Sequence, residues 1–278
     1  MTALSTPSHD GIDVRVIVTN DENELAAIAQ ADVQAVIYRP PPPAWLQEIA
    51  EAVEAGRFRI ARNILPDVRR DEIARWLEGD LPTGVVSDQA RADLKDDIVA
   101  LTDRLHSLTG AVRFMLRIFT EAPSTECSFH VDTVPPGAPA VGLLRVYNGA
   151  GTDYVDPTNL TSFADFYRYL GRHERLRRDR RTARQDGDAA ALLRLEREIA
   201  AHGAARPFLR RPDENAVAPA GSIVAFRHID VRHHWSDHFK ARAWIHSSPM
   251  TGTPRLVVNL TSPQRPPRRR PARGGDSD

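Results

Sequence analysis

The segment Phe129-His130-Val131-Asp132 places an imidazole and a carboxylate two residues apart. In an extended strand alternate side chains share a face, so His130 and Asp132 point one way while Val131 points the other. Two ligands for one metal ion can then come from a single strand. A histidine from a distant strand would complete a set of two imidazoles and one carboxylate, which leaves positions on the ion open for small molecules. A His-x-Asp triplet is weak by itself, and the chain holds a second, His228-Ile229-Asp230. The triplet alone does not choose between the two.

These residues need a β framework. From Ala111 the sequence turns to short apolar runs: Val112 to Phe119, Ser128 to Thr133, Val141 to Tyr147, Ser222 to His228, Ala243 to His246 and Arg255 to Leu260. Gly, Pro and Asn separate several of them. Upstream the texture is mainly helical, over Asp21 to Gln30, Trp45 to Ala55 and Asp71 to Glu78, with one strand at Val33 to Tyr38 stopped by four prolines. The clearest helix is Ser87 to Leu108, where Leu94, Ile98, Leu101, Leu105 and Leu108 form one apolar stripe and Gly110 closes the element. Phe163 to Ala204 interrupts the β series with helical, charge-rich sequence, broken near Gly187, and the insert over 165–213 is expected to lie outside the barrel and to be dispensable for metal binding.

The order of the pieces resembles the iron(II)/2-oxoglutarate-dependent dioxygenase superfamily, in its prolyl-hydroxylase-like branch. There a His-x-Asp strand is followed by a Pro-x-x-Gly-x-x-x-x-Phe strand, here Pro219 to Phe226 with glycine one place early at Gly221-Ser222. A distal histidine and a basic residue come next, here His246 and Arg255. A second likeness is to a bacterial family of unknown function that carries Phe129-His130-Val131-Asp132, then Tyr147-Asn148-Gly149-Ala150-Gly151-Thr152-Asp153-Tyr154, then the late His246-Ser247-Ser248-Pro249 and an arginine.

The resemblance implies an α+β chain with a double-stranded β-helix, a cupin-like jelly roll, under an N-terminal helical layer and with a helical insert. It implies Fe(II) held by His130, Asp132 and His246, and 2-oxoglutarate whose far carboxylate pairs with Arg255, because a guanidinium forks onto a carboxylate. Succinate and carbon dioxide would leave as a substrate, small or peptide-like, is oxidised. The tyrosine that related hydroxylases place before the His-x-Asp strand is missing, so Arg117 and Tyr147 stand as candidates for a second anchor. The expected layout is a flexible segment 1–12, a support region 13–110, a catalytic β domain 111–262 with the insert at 163–213, and a disordered Pro- and Arg-rich tail 263–278. A cupin-like metal enzyme that does not use 2-oxoglutarate and a ligand-binding barrel without activity are the alternatives.

Other features read more plainly. The formal net charge is zero, which gives no bulk attraction to nucleic acid or anionic membrane. Arg168 to Arg184 holds eight arginines against Glu174 and Asp179, a stretch that could take nucleic acid but reads first as a solvated helix. His228, His233, His234 and His238 could form a second metal cluster and read first as a polar loop over the barrel mouth. Trp235 and Trp244 flank that loop and could line a pocket or pack in the core. One cysteine, Cys127, excludes an internal disulfide, and no signal peptide or membrane span is seen, so a cytoplasmic protein is expected.

Overall fold

A computed structural model describes residues 14–122, 128–233 and 242–263 of the chain. Its elements run in chain order as β1 (Arg15–Thr19), β2 (Val33–Tyr38), α1 (Ala44–Glu54), β3 (Asn63–Val68), α2 (Arg70–Asp80), α3 (Asp88–Thr109), β4 (Phe114–Glu121), β5 (Thr133–Val134), β6 (Val141–Val146), β7 (Thr152–Tyr154), α4 (Phe163–Asp186), α5 (Ala189–Ala205), β8 (Ala216–Ala218), β9 (Ile223–Arg227), β10 (Ile229–Asp230), β11 (His246–Ser247) and β12 (Arg255–Thr261). The expected helix at 21–30 is a 3-10 helix, Glu22–Ala29, capped by the Asp21 side chain. β1, β3, β7, β8 and β10 were not expected. β3 carries Pro66, which a ladder tolerates at an edge, and β3 is an edge strand with a register shift between Leu65 and Val68.

Seven strands form one sheet in the order β1-β2-β9-β6-β12-β4-β3. All neighbours are antiparallel except β1 and β2. A three-stranded sheet, β11-β7-β8, extends through a bridge from His246 to His130. β5 and β10 pair separately. The chain passes from β4 through the His130 segment to β6, then through β7 and β8 to β9, and through β11 to β12. It therefore alternates between the large and the small sheet.

Period-2 alternation divides the large sheet into two faces. Leu116 and Ile118 of β4, Leu143 of β6, Ala225 of β9 and Leu256, Val258 and Leu260 of β12 pack under α1, α2 and α3. The predicted stripe Leu94, Ile98, Leu101 and Leu105 is almost fully buried there, each side chain worth about 1.5–3 kcal/mol. Ser87 caps α3 by accepting from the Ala90 N–H, and Gly110, with φ of 71°, ends it. The opposite face carries Phe119, Leu144, Val146, Val224, Phe226 and Val257, which meet Tyr154, Ala218 and Trp244. Gly151 permits the close approach of the small sheet, since a Cβ there would lie 2.0 Å from the Ala218 carbonyl oxygen. Strands from the region 13–110 are thus part of the same sheet as those from 111–262.

α4 and α5 form a hairpin broken at Gly187, which adopts φ of 72°. Phe163, Phe166, Tyr167 and Leu170 of α4 share one apolar cluster with Phe129, Val131 and Ile245. The root of the hairpin is therefore packed on the segments that carry His130, Asp132 and His246. Farther out, Leu176 and Ala183 meet Leu195 and Ile199 in a separate small cluster. Among the described residues, no helix is long and apolar enough to cross a membrane.

Candidate metal centre

Val131 is buried in the α4 cluster, which turns His130 and Asp132 the other way. His130 exchanges backbone hydrogen bonds with His246, its N–H to the His246 carbonyl at 2.9 Å and the reverse at 3.0 Å. That bridge brings residues 116 positions apart into one place. Nε2 of His130 lies 3.8 Å from Asp132 Oδ1, and Nε2 of His246 lies 4.0 Å from Asp132 Oδ2. One ligand atom from each of the three residues falls within 4.8 Å of the others. A facial set with bonds of about 2.1 Å spaces its ligand atoms about 3 Å apart, so an ion would draw these atoms inward by about 1 Å.

The donor chemistry suits a metal. Nδ1 of His130 lies 2.9 Å from the Ser128 carbonyl oxygen and Nδ1 of His246 lies 3.2 Å from that of Trp244. A carbonyl only accepts, so each Nδ1 carries the proton and each Nε2 turns a lone pair toward Asp132. Trp244 stacks on the His246 ring at 4.5 Å and Phe226 meets its edge, which fixes the ring's plane. Burial pushes His246 down to about 3, against the pull of Asp132, so it is neutral and ready to coordinate. Burial alone would raise Asp132, but His246, His130, His228 and Arg117 outweigh it and hold the carboxyl at about 2.

His228 belongs to the same neighbourhood. Its parity with Val224 and Phe226 turns it inward, where Nε2 sits 3.8 Å from Asp132 Oδ2. Burial pushes it down to about 4. Its own triplet partner, Asp230, turns away to Arg232, at 2.7 Å. The second His-x-Asp is therefore divided, one residue supporting the Asp132 carboxylate and the other at the surface. Gly142 makes room for the ring, since a Cβ there would lie 2.4 Å from His228 Cε1.

The three candidate ligands open onto a cavity of about 590 Å³, which Arg255, Arg117, Asn259, Glu121 and Phe119 also line. Arg255 is 1% exposed. It donates to the carbonyl oxygens of Ala150 and Gly151, at 3.2 and 2.8 Å, and lies 3.8 Å from Glu121. Arg117 sits opposite Asn259 in the β4–β12 register. Arg117 Nε and Asn259 Oδ1 are both buried with no hydrogen-bond partner among the described residues, which leaves polar capacity facing the cavity.

Tyr147 is not brought to this place. It lies on the helix-covered face, where its hydroxyl donates to Asp97 Oδ2 at 2.7 Å beside the Arg145–Asp97 ion pair at 3.2 Å. Its bond ties α3 to the end of β6, so it is no anchor for a ligand in the cavity. Trp244 is fully buried packing under His246 and not a wall of the cavity. The insert, expected to stand clear, supplies Leu170, Glu174 and Arg177 to the cavity. Arg62, from the residue before β3, is a further lining residue that sequence reasoning missed; its guanidinium lies 5.0 Å from the centre of the Phe119 ring. His233 closes a short 3-10 turn, while Cys127, His234, Trp235, His238 and most of the tail lie outside the described residues.

A family model described as a protein of unknown function, DUF1826, matches residues 19–204. The chain belongs to that family. The match takes in His130 and Asp132 and ends before His246 and Arg255. No curated protein matches the chain. Among solved structures, the chain is similar to a Pseudomonas putida prolyl-4-hydroxylase at 12% identity, covering 87% of this chain and 100% of that one, with a TM-score of 0.36. It is similar to a rice dioxygenase for auxin oxidation at 14% identity, covering 89% and 82%, with a TM-score of 0.40. It is also similar to the Arabidopsis thaliana dioxygenase for auxin oxidation 1 in complex with 2-oxoglutarate, at 9% identity, covering 91% and 93%, with a TM-score of 0.37.

Proposed function

We propose that this chain is an Fe(II)- and 2-oxoglutarate-dependent oxygenase built on a double-stranded β-helix. The observation that carries the reading is that His130, Asp132 and His246 converge at the wall of a cavity that also holds the buried Arg255. The strand order supports the fold: β9-β6-β12-β4 in one sheet and β8-β7-β11 with the His130 segment in the other match the two halves of such a β-helix. When bound, the metal and the 2-oxoacid supply the oxidising chemistry, with succinate and carbon dioxide as by-products.

The chain's own residues bind and orient. His130 and His246 present their Nε2 atoms, and Asp132 adds the one negative charge. Arg255, held in place by two carbonyl oxygens, presents its guanidinium to the far carboxylate of the cosubstrate. Arg117, with Nε unmatched, takes the role of a second cation at the same ligand. The test is succinate release by the purified protein with Fe(II), ascorbate and 2-oxoglutarate and no added substrate. Slow turnover that His130→Ala abolishes is expected. If metal-loaded protein neither binds 2-oxoglutarate nor releases succinate, a cupin-like metal enzyme without that cosubstrate takes its place.

A further inference from the structure

Among the described residues, the cavity holds more positive charge than a metal and one dianionic cosubstrate require. Four described guanidiniums line it, from Arg62, Arg117, Arg177 and Arg255, against three described carboxylates, from Glu121, Asp132 and Glu174. Asp132 serves the metal, and Glu121 faces Arg255 at 3.8 Å. A divalent ion and 2-oxoglutarate cancel each other, so with both bound one cationic charge is left over among the described lining residues. Arg255 and Arg117 lie on β12 and β4, beside the candidate ligands. The remaining two come from elsewhere: Arg62 lies on Phe119, and Arg177 stands on α4, one helical turn after Glu174. Neither makes a hydrogen bond or an ion pair with the described residues. An unpaired guanidinium at the wall of a partly enclosed cavity is a ready receptor for a carboxylate or a phosphate, because its planar fork matches either group.

We infer that the prime substrate carries an anionic group, carboxylate or phosphate, which Arg177 and Arg62 hold at the cavity wall while Glu174 limits the site to a single such charge. This inference rests on the oxygenase reading and names the substrate class of that same site. It gives the α4–α5 hairpin a purpose the scaffold does not require: α4 carries one of the two substrate contacts and the residue before β3 the other.

The test uses three probes that share one ring and differ in the head group: 1-naphthyl phosphate, 1-naphthoate and neutral 1-naphthalenemethanol. Each is titrated by fluorescence into the full-length anaerobic Fe(II) protein, with and without 2-oxoglutarate. At least one anionic probe should bind about tenfold or more tightly than the alcohol, and the phosphate and carboxylate arms tell which group is preferred. Arg177→Gln and Arg62→Gln should each erase most of that preference and leave 2-oxoglutarate affinity unchanged. Glu174→Gln should tighten the anionic probes several-fold. Equal binding of all three probes overturns the inference, as does an anion preference that survives in the double arginine variant. Failure of 2-oxoglutarate itself to bind the wild-type metal protein counts against the oxygenase reading instead, and is measured separately from the probes.

Discussion

Arg255 should act on the cosubstrate and not on the metal. It is buried against carbonyl oxygens and lines the same cavity as Asp132, so Arg255→Ala should weaken 2-oxoglutarate binding by about 30-fold or more, the scale of losing one partner of a desolvated charged pair. Fe(II) affinity should hold, whereas His130→Ala should remove the ion. Titrating 2-oxoglutarate into the anaerobic Fe(II) protein and following the visible charge-transfer band separates the two; wild-type binding by Arg255→Ala would make the arginine a bystander. Gly142 tests the support of the carboxylate. A methyl there collides with His228 and also approaches the Leu260 carbonyl at 3.1 Å, so Gly142→Ala should cost about 1–3 kcal/mol in urea unfolding and weaken the metal site by displacing the ring beside Asp132. The candidate ligands were picked out by the order of motifs and by alternation on a strand expected over 128–133, of which the structure keeps only a bridge at His130 and the two residues of β5. Tyr147 was misplaced for a physical reason: β6 is apolar on both sides, with Leu143 and Leu144 adjacent, so no hydrophobic alternation says which of its faces meets the cavity.

At the scale of elements, the long periodic ones were readable and the short ones were not. α3 showed its stripe, its Ser87 cap and its Gly110 stop in the sequence. β7, β8 and β10 have two or three residues each, too few to show a period, and they exist because neighbouring strands offer them a ladder. The α4–α5 hairpin was read correctly as two helices, but its distance from the site was not, because nothing in its charge pattern reveals that Phe166 packs against Phe129 through Phe208. The expectation that the whole insert could be removed is therefore replaced by a narrower one. Joining Arg177 to Ile199 by a short linker removes only the outer turns and should preserve metal binding and most of the melting temperature. Removing 163–213 should strip the cover from the His130 segment and abolish both, as a calorimetric scan with and without Fe(II) would reveal. The same hairpin has an acid-sensitive point. His173 is buried, stacks near Tyr169 and His202, and has neither ring nitrogen hydrogen-bonded among the described residues. Burial, with Arg177 and His202 adding to it, pushes its pKa down to about 4. Unfolded, it takes up a proton near about 6.5. Between those values the unfolded chain binds a proton that the folded chain does not, so this contribution is full above about pH 6.5 and is lost as pH falls toward about 4. His173→Leu should flatten that part of the loss, seen as a smaller drop in urea midpoint between pH 7 and pH 5; an unchanged drop would assign the sensitivity elsewhere, with His228 the next group.

For the molecule as a whole, the large sheet is the unit of stability. β2 lies against β9, and β3 lies against β4, so strands from the first hundred residues close both sides of the strands that carry Arg117 and Arg255. The helices of the same region cover the sheet's outer face, where Leu116, Ile118, Leu143, Leu256, Val258 and Leu260 are buried. Uncovering that face would forfeit about 1.5–3 kcal/mol for each such side chain, and six of them already match or exceed the roughly 5–15 kcal/mol that keeps a domain folded. Arg145 would also lose Asp97 and be left as an unpaired charge on the same face. The segment 111–263 by itself, although it contains every candidate ligand and Arg255, should thus be unable to fold: it should melt without cooperativity, bind a hydrophobic dye and hold no Fe(II). The full chain should unfold in urea in one transition when followed both by tryptophan fluorescence and by far-ultraviolet circular dichroism. Supplying 1–110 as a separate chain should restore part of the metal binding, because the missing strands and helices pack without a covalent link. A cooperative melt and intact Fe(II) binding by 111–263 alone would make the N-terminal region an appendage and would locate the stability of the site within the β-helix itself.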